Sequence, residues 1–179
     1  MMAPSPSFFT RRRLLWAALA AQVLFILAVA GAGYATTAFG RVVVLRTTPV
    51  DPRDLLFGDY VRLNYTISQV PARLWHGPQP PQAGQPVYVL LQPLRGAYEA
   101  AGVYSTEPAA DAHQVVLRGW VTDSWAHGIR LRFGLERYYV PEKTGLSLEK
   151  SATRQPLLVR VSVAPWGQAR IMQVAPAQN

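Results

Sequence analysis

Hydrophobic and polar positions follow two different patterns that meet near Gly40. From Leu14 to Gly40 the chain runs 27 residues without a charge. As a helix this stretch would extend about 40 Å, longer than the roughly 30 Å hydrocarbon core of a bilayer. Leu14 to Ala30 holds one polar residue, Gln22, while Trp16 near one end and Tyr34 with Phe39 near the other stand where interfacial aromatics belong. Arg11, Arg12 and Arg13 flank the run on its N-terminal side, which by the positive-inside rule predicts a cytoplasmic tail over 1–13, a transmembrane helix over 14–40 and an exported domain over 41–179. A cleaved signal peptide is the competing reading, since Ala28-Val29-Ala30 matches a small-x-small cleavage site. An uncleaved signal anchor fits better, because signal h-regions end near about 15 residues and this apolar run continues beyond that.

After Arg41 continuous apolarity gives way to short alternating runs broken by proline and glycine, the pattern of an all-β module. Strands are predicted near 42–47, 60–68, 86–92, 97–105, 114–122, 128–140, 157–164 and 170–175. The run VYVLLQ is apolar on both faces and reads as a central strand, whereas VVLRGWVT and LLVRVSV carry arginine on alternate positions and read as having one wet face. The segment 71–86, with Pro78, Pro80, Pro81 and Gly84, reads as a loop, and 142–152 as one short helix. The fold class predicted is therefore mainly β: one N-terminal transmembrane helix followed by a compact antiparallel β domain of about eight strands with one short helix.

Composition narrows the chemistry. Cysteine is absent, which excludes disulfides, thiolate metal sites and a cysteine nucleophile. Lysine and arginine outnumber the acids 18 to 10, but apart from the three N-terminal arginines the basic residues are scattered singly among the acids, with no basic block of the kind that marks a nucleic-acid site. Nucleic acid is not an expected partner. His76, His113 and His127 have no metal-ligand spacing, and neither a phosphate loop nor a nucleophile elbow is present. No metal or other cofactor is expected.

Two constellations stand out. In FGDYVRLNY, Gly58 and Asp59 open a strand whose alternation sends Val61, Leu63, Tyr65 and Ile67 to one face and Tyr60, Arg62, Asn64 and Thr66 to the other. Tyr65 then reads as a core aromatic with a partner for its hydroxyl, Tyr60 as the tyrosine available to a ligand or partner, and Asp59 as a turn acceptor. In GLERYYVPE, the apolar row Ile129, Leu131, Phe133 and Leu135 continues onto Arg137 and Tyr139 unless a bulge near Gly134 changes the phase. An inward Arg137 would need an anion, so the expectation is a latch between Arg137 and a carboxylate drawn from Asp51, Asp54, Asp59, Glu136 and Glu142. Candidate interaction residues are Gly58, Asp59, Tyr60, Arg62, Leu63, Tyr65, Glu136, Arg137, Tyr138, Tyr139, Pro141 and Glu142.

Gly58-Asp59-Tyr60, Leu63 and Tyr65 fit the pattern GDYXXLXY, and with PVDPRDLLFGDY, LERYYVPE and the preceding apolar helix the chain resembles the GDYXXLXY family of bacterial membrane-anchored proteins over nearly its whole length. The resemblance implies an architecture and a bacterial inner-membrane location, with the main domain periplasmic or otherwise extracytoplasmic. It carries no established activity. It also implies a polytopic membrane protein as partner, because such proteins tend to be encoded beside family members. The run DLLFGDYVRL is similar to a hairpin of type I signal peptidases, but the alignment puts Val50 where the nucleophilic serine belongs, and Lys143 and Lys150 fall far from it. The function expected is a membrane-anchored binding or assembly module, with no catalytic residue assigned. An envelope hydrolase using Asp59 and Glu142 is the alternative; any small-molecule ligand is undefined.

Overall fold

The computed structural model describes residues 8–48, 60–139 and 156–176. It begins with a helix, α1, over Phe8–Ala38. Leucine and alanine dominate this stretch and proline is missing from it, so nothing interrupts the ladder; the ladder closes with Phe39 N–H donating to Ala35 C=O at 2.9 Å, just before Gly40. Arg12–Ala35 is long and apolar enough to cross a membrane, and none of its most apolar window is buried against the rest of the protein. Leu14, Trp16, Phe25 and Leu27 are all exposed, so the helix is apolar all round and lacks a covering of its own.

Eleven strands follow among the described residues: β1 Arg41–Arg46, β2 Tyr60–Arg62, β3 Gln69–Pro71, β4 Trp75–His76, β5 Pro86–Leu94 and β6 Ala97–Tyr104, then β7 Val115–Trp125, β8 Gly128–Arg132, β9 Arg137–Tyr139, β10 Leu157–Val163 and β11 Ala169–Pro176. They form a three-stranded sheet in the order β1-β10-β11, a two-stranded ribbon β2-β9, and a six-stranded sheet β3-β8-β7-β5-β6-β4. Every pairing is antiparallel except β4 with β6. The β5–β6 hairpin turns on Arg95 and Gly96, both at positive φ (49° and 80°), the two left-handed positions that a tight hairpin turn requires. As the alternation predicts, β5 is central, flanked by β6 and β7 and buried at Val87, Val89, Leu90 and Leu91. Arg118 on β7 and Arg160 on β10 face outward.

The core lies between the sheets. Val43 and Leu45 of β1 and Val159 and Val161 of β10 share one cluster with Val89, Leu117, Leu131 and Val103 of the large sheet. Two contacts tie the layers at their edges: Arg118 N–H donates to Gly167 C=O at 2.9 Å, and an Arg41 guanidinium N–H donates to Gln114 C=O at 3.2 Å. Helix α1 meets the first sheet, its C-terminal turns lying alongside β10 and β11.

The structure corrects several strand expectations. The strand expected over 60–68 is broken into β2, an extended link in which Tyr65 bridges to Thr47, and a 3₁₀ turn at Thr66–Ser68. The strand expected over 128–140 is split into β8 and β9, because residues 133–136 leave the ladder. The segment 71–86 is more than a loop: a 3₁₀ turn at Ala72–Leu74 delivers Trp75 and His76 to pair in parallel with Val103 and Tyr104, where His76 stacks on the Tyr104 ring at 4.7 Å. Among the described residues the count is thus eleven, where about eight were expected. The short helix expected over 142–152 lies outside the described residues.

Candidate functional site

The two motif segments meet as neighbouring strands. In the β2–β9 ribbon Tyr60 stands opposite Tyr139, Val61 opposite Tyr138 and Arg62 opposite Arg137. Past the ribbon the partnership continues through single bonds. Leu63 N–H donates to Glu136 C=O at 2.9 Å, and the Tyr65 hydroxyl donates to Leu135 C=O at 2.8 Å. Four motif-row residues, Val61, Leu63, Tyr65 and Ile67, are buried, Tyr65 at 2% exposure. Burial first, and the nearby Glu136 carboxylate second, push the Tyr65 hydroxyl far above its ordinary range, so it is a neutral donor at any physiological pH.

The partner segment has its shape for a local reason. Gly134 takes φ +75°, a conformation that side chains disfavour, and Phe133 N–H donates to the Glu136 carboxylate at 2.5 Å. That bond gives the amide a side-chain acceptor where the β8 ladder stops, and it changes the phase of the chain. Phe133 and Leu135 are buried, yet Arg137, two residues further, is exposed. The expected inward Arg137 is therefore corrected: its side chain is exposed, and of the carboxylates named for the latch only Glu136 lies among the described residues. The inward position passes to Tyr138, half-buried and packed on the core, while Tyr139 is 68% exposed. Gly58, Asp59, Pro141 and Glu142 lie outside the described residues, as do Asp51 and Asp54.

Outside the ribbon lies a cleft of about 1230 Å³. Arg62 and Arg137 line it from the ribbon, Arg130 and Arg132 from β8, and Asn64, Thr66, Ser68, Gln69 and Thr122 from the segments between. Glu136 is the one carboxylate among the described lining residues, and it already accepts from Phe133. Arg130 and Arg132 are positioned by aromatic rings, their guanidinium carbons 5.7 Å from the centre of Trp125 and 5.6 Å from that of Trp120. A bulge at Thr122, where β7 slips one residue against β8, bends the sheet beside the cleft. The Ser68 hydroxyl oxygen is buried with no hydrogen-bond partner among the described residues.

Of the cleft residues, Arg62, Tyr65, Glu136 and Arg137 stand among the sequence candidates. Arg130, Arg132, Ser68 and Thr122 do not. A signal for the two arginines exists: in IRLRF they occupy the positions opposite to Ile129, Leu131 and Phe133, so the reading that makes those three core makes the arginines outward. Ser68 and Thr122 have no such signal, since one depends on a 3₁₀ turn and the other on a bulge. Among the described residues no group of three His, Asp or Glu side chains gathers closely enough to hold a metal ion.

A family model described as "GDYXXLXY protein" matches residues 22–174, which takes in half of α1, both motif segments and nearly all of the strands. No curated protein and no solved structure matches the chain.

Proposed function

The chain belongs to the GDYXXLXY protein family, and from that premise we propose that it is a single-pass protein of the bacterial inner membrane whose exported β domain is a binding or assembly module, with a polytopic membrane protein as its partner. The uncovered apolar helix supports the anchor, and the arginines at 11–13 support a cytoplasmic N-terminal side. The observation that carries the binding role is the cleft on the outer side of the motif, where four arginines and one carboxylate stand among the described lining residues.

Site-specific photo-crosslinking in intact membranes tests the proposal. A photoreactive residue in place of Asn64, in the cleft, should give a discrete adduct with an integral membrane protein, and the same residue in place of His113 should not. Equal labelling from both positions, or adducts with soluble proteins alone, would overturn the assembly role. A C-terminal reporter active only outside the cytoplasm should be active; an inactive one would reverse the orientation.

A further inference from the structure

We propose that the groove between the end of α1 and the start of β11 holds an anionic phospholipid, with its phosphate on Arg170 and an acyl chain along Val29, Ala30 and Gly33. This site is separate from the cleft. It rests on the anchor part of the proposed function, because it needs α1 in a bilayer.

Depth follows from which residues face one another. A hollow of about 630 Å³ is walled on one side by Val29, Ala30, Gly33 and Tyr34 of α1 and on the other by Arg170 and Met172 of β11. All four helix residues belong to the stretch Arg12–Ala35, and at the rise of a helix none is more than about 9 Å from its end. With that stretch across a bilayer, they lie where hydrocarbon gives way to headgroups. The start of β11 is thereby held at the same level. Trp166, 46% exposed in the turn that leads into β11, and Tyr34, 74% exposed on the helix, are amphipathic rings of the kind that settle at headgroup depth.

Both surfaces that a phospholipid requires are present. Val29 and Met172 are exposed to the hollow's side of the chain, and Gly33 leaves open space where a side chain would stand. Lipid tails are as apolar as this wall and fill such a space. Arg170 is exposed, and Arg160, also exposed, stands one diagonal step away on the same face of the sheet. An arginine at this level extends its guanidinium to the phosphate layer, where neighbouring N–H groups donate to phosphate oxygens. A choline headgroup brings its own cation beside the phosphate and repels the guanidinium, whereas a glycerol headgroup does not, so the anionic lipid is favoured. A second copy of α1 laid in the groove would cover Val29 but offer Arg170 no anion.

Native mass spectrometry of the full chain, released from detergent micelles with phosphatidylglycerol or phosphatidylcholine added, tests the site. An arginine near an anionic lipid surface is worth about fivefold in affinity, so phosphatidylglycerol should be retained at one per chain and at least about fivefold more tightly than phosphatidylcholine. Arg170→Gln should weaken phosphatidylglycerol binding by about fivefold and phosphatidylcholine binding little. Arg73→Gln, which removes an equal charge from the 3₁₀ turn before β4, should change neither. Gly33→Leu fills the hollow and should weaken both lipids, while Gly31→Leu, on α1 but outside the hollow, should not. A melting transition of the β domain equal to the parent's in Arg170→Gln and Gly33→Leu separates lost lipid from lost folding. Equal retention of the two lipids, unaltered phosphatidylglycerol binding in Arg170→Gln, or a lipid-free dimer that Gly33→Leu dissociates would each overturn the proposal, the last by giving the groove to a second copy. Alkaline extraction separates this site from the reading beneath it: a chain released from membranes sinks the anchor and the site together, and a chain that stays yet binds both lipids equally sinks the lipid site alone.

Discussion

Along the chain from Val61 to Ser68, one side is closed and the other open. Val61, Leu63, Tyr65 and Ile67 are sealed into the core, while Arg62, Asn64, Thr66 and Ser68 line the cleft. Leu63 and Tyr65, two of the named positions of the family pattern, are on the closed side, and Arg62 and Asn64, at positions that the pattern leaves variable, line the cleft. The closed side determines where the strand lies, and the open side inherits its geometry from that.

The largest expected effect comes from the closed side. Tyr65→Ala should destabilise the domain by about 3–5 kcal/mol, the usual cost of truncating a buried aromatic, and should do so whether or not a ligand is present. Chemical denaturation measures it, and a loss below about 1 kcal/mol would mean that the closed side does not hold the ribbon in place. Glu136→Ala comes next. It removes the acceptor of the Phe133 N–H, and a half-buried amide left without a partner costs about 1–3 kcal/mol; Glu136→Gln, which keeps an acceptor oxygen, should recover most of the loss.

Tyr65→Phe is a smaller and sharper test. It deletes the bond to Leu135 C=O at a net cost of about 0.5–1.5 kcal/mol, and it also carries a pH signature. The hydroxyl is held protonated in the folded chain well above the ordinary value near 10, so the unfolded chain releases this proton first. The stability that Tyr65 lends is full below about pH 10 and falls as the pH rises further. The gap between parent and Tyr65→Phe should therefore narrow on the alkaline side; a gap independent of pH would contradict the burial of that hydroxyl. Smallest is Arg62→Gln on the open side, expected within about 0.5 kcal/mol of the parent and not destabilising, because it relieves a like-charge pair. A clear loss of stability there would show that the open side is structural as well.

These same two sides differ in how far the sequence reveals them. Alternation exposes the closed side directly, since burying Val61 and Leu63 on one face also dictates Tyr65 and Ile67, and the central position of β5 follows from its two apolar faces in the same way. The open side depends on where alternation fails. Arg137 is placed inward by counting from Leu135, and only the bond from Phe133 N–H to the Glu136 carboxylate, with Gly134 at positive φ, moves it outward. The glycine marks the place of a possible break, but the side-chain bond that makes the break is a tertiary fact. Likewise the pairing of Trp75 and His76 with β6 spans two residues in a proline-rich stretch, too short to leave a periodic trace. The cleft needs the Thr122 bulge and the register of three strands together, none of which a one-dimensional pattern contains.

Phe39 and Gly40 are the whole connection between α1 and β1, and β1 then carries the chain about 20 Å to Thr48 at the edge of the cleft. With the helix in a bilayer, such a tether has almost no slack. The cleft of a protein so anchored could not reach out along a flexible chain; it would ride at a nearly constant stand-off from the membrane and explore two dimensions instead of three. Encounter would then be governed by how many copies share the membrane, since a linker this short offers no adjustable reach. Lengthening the joint at Gly40 with a few flexible residues would leave every bond inside the β domain intact, yet change how often the site and a membrane-bound partner meet.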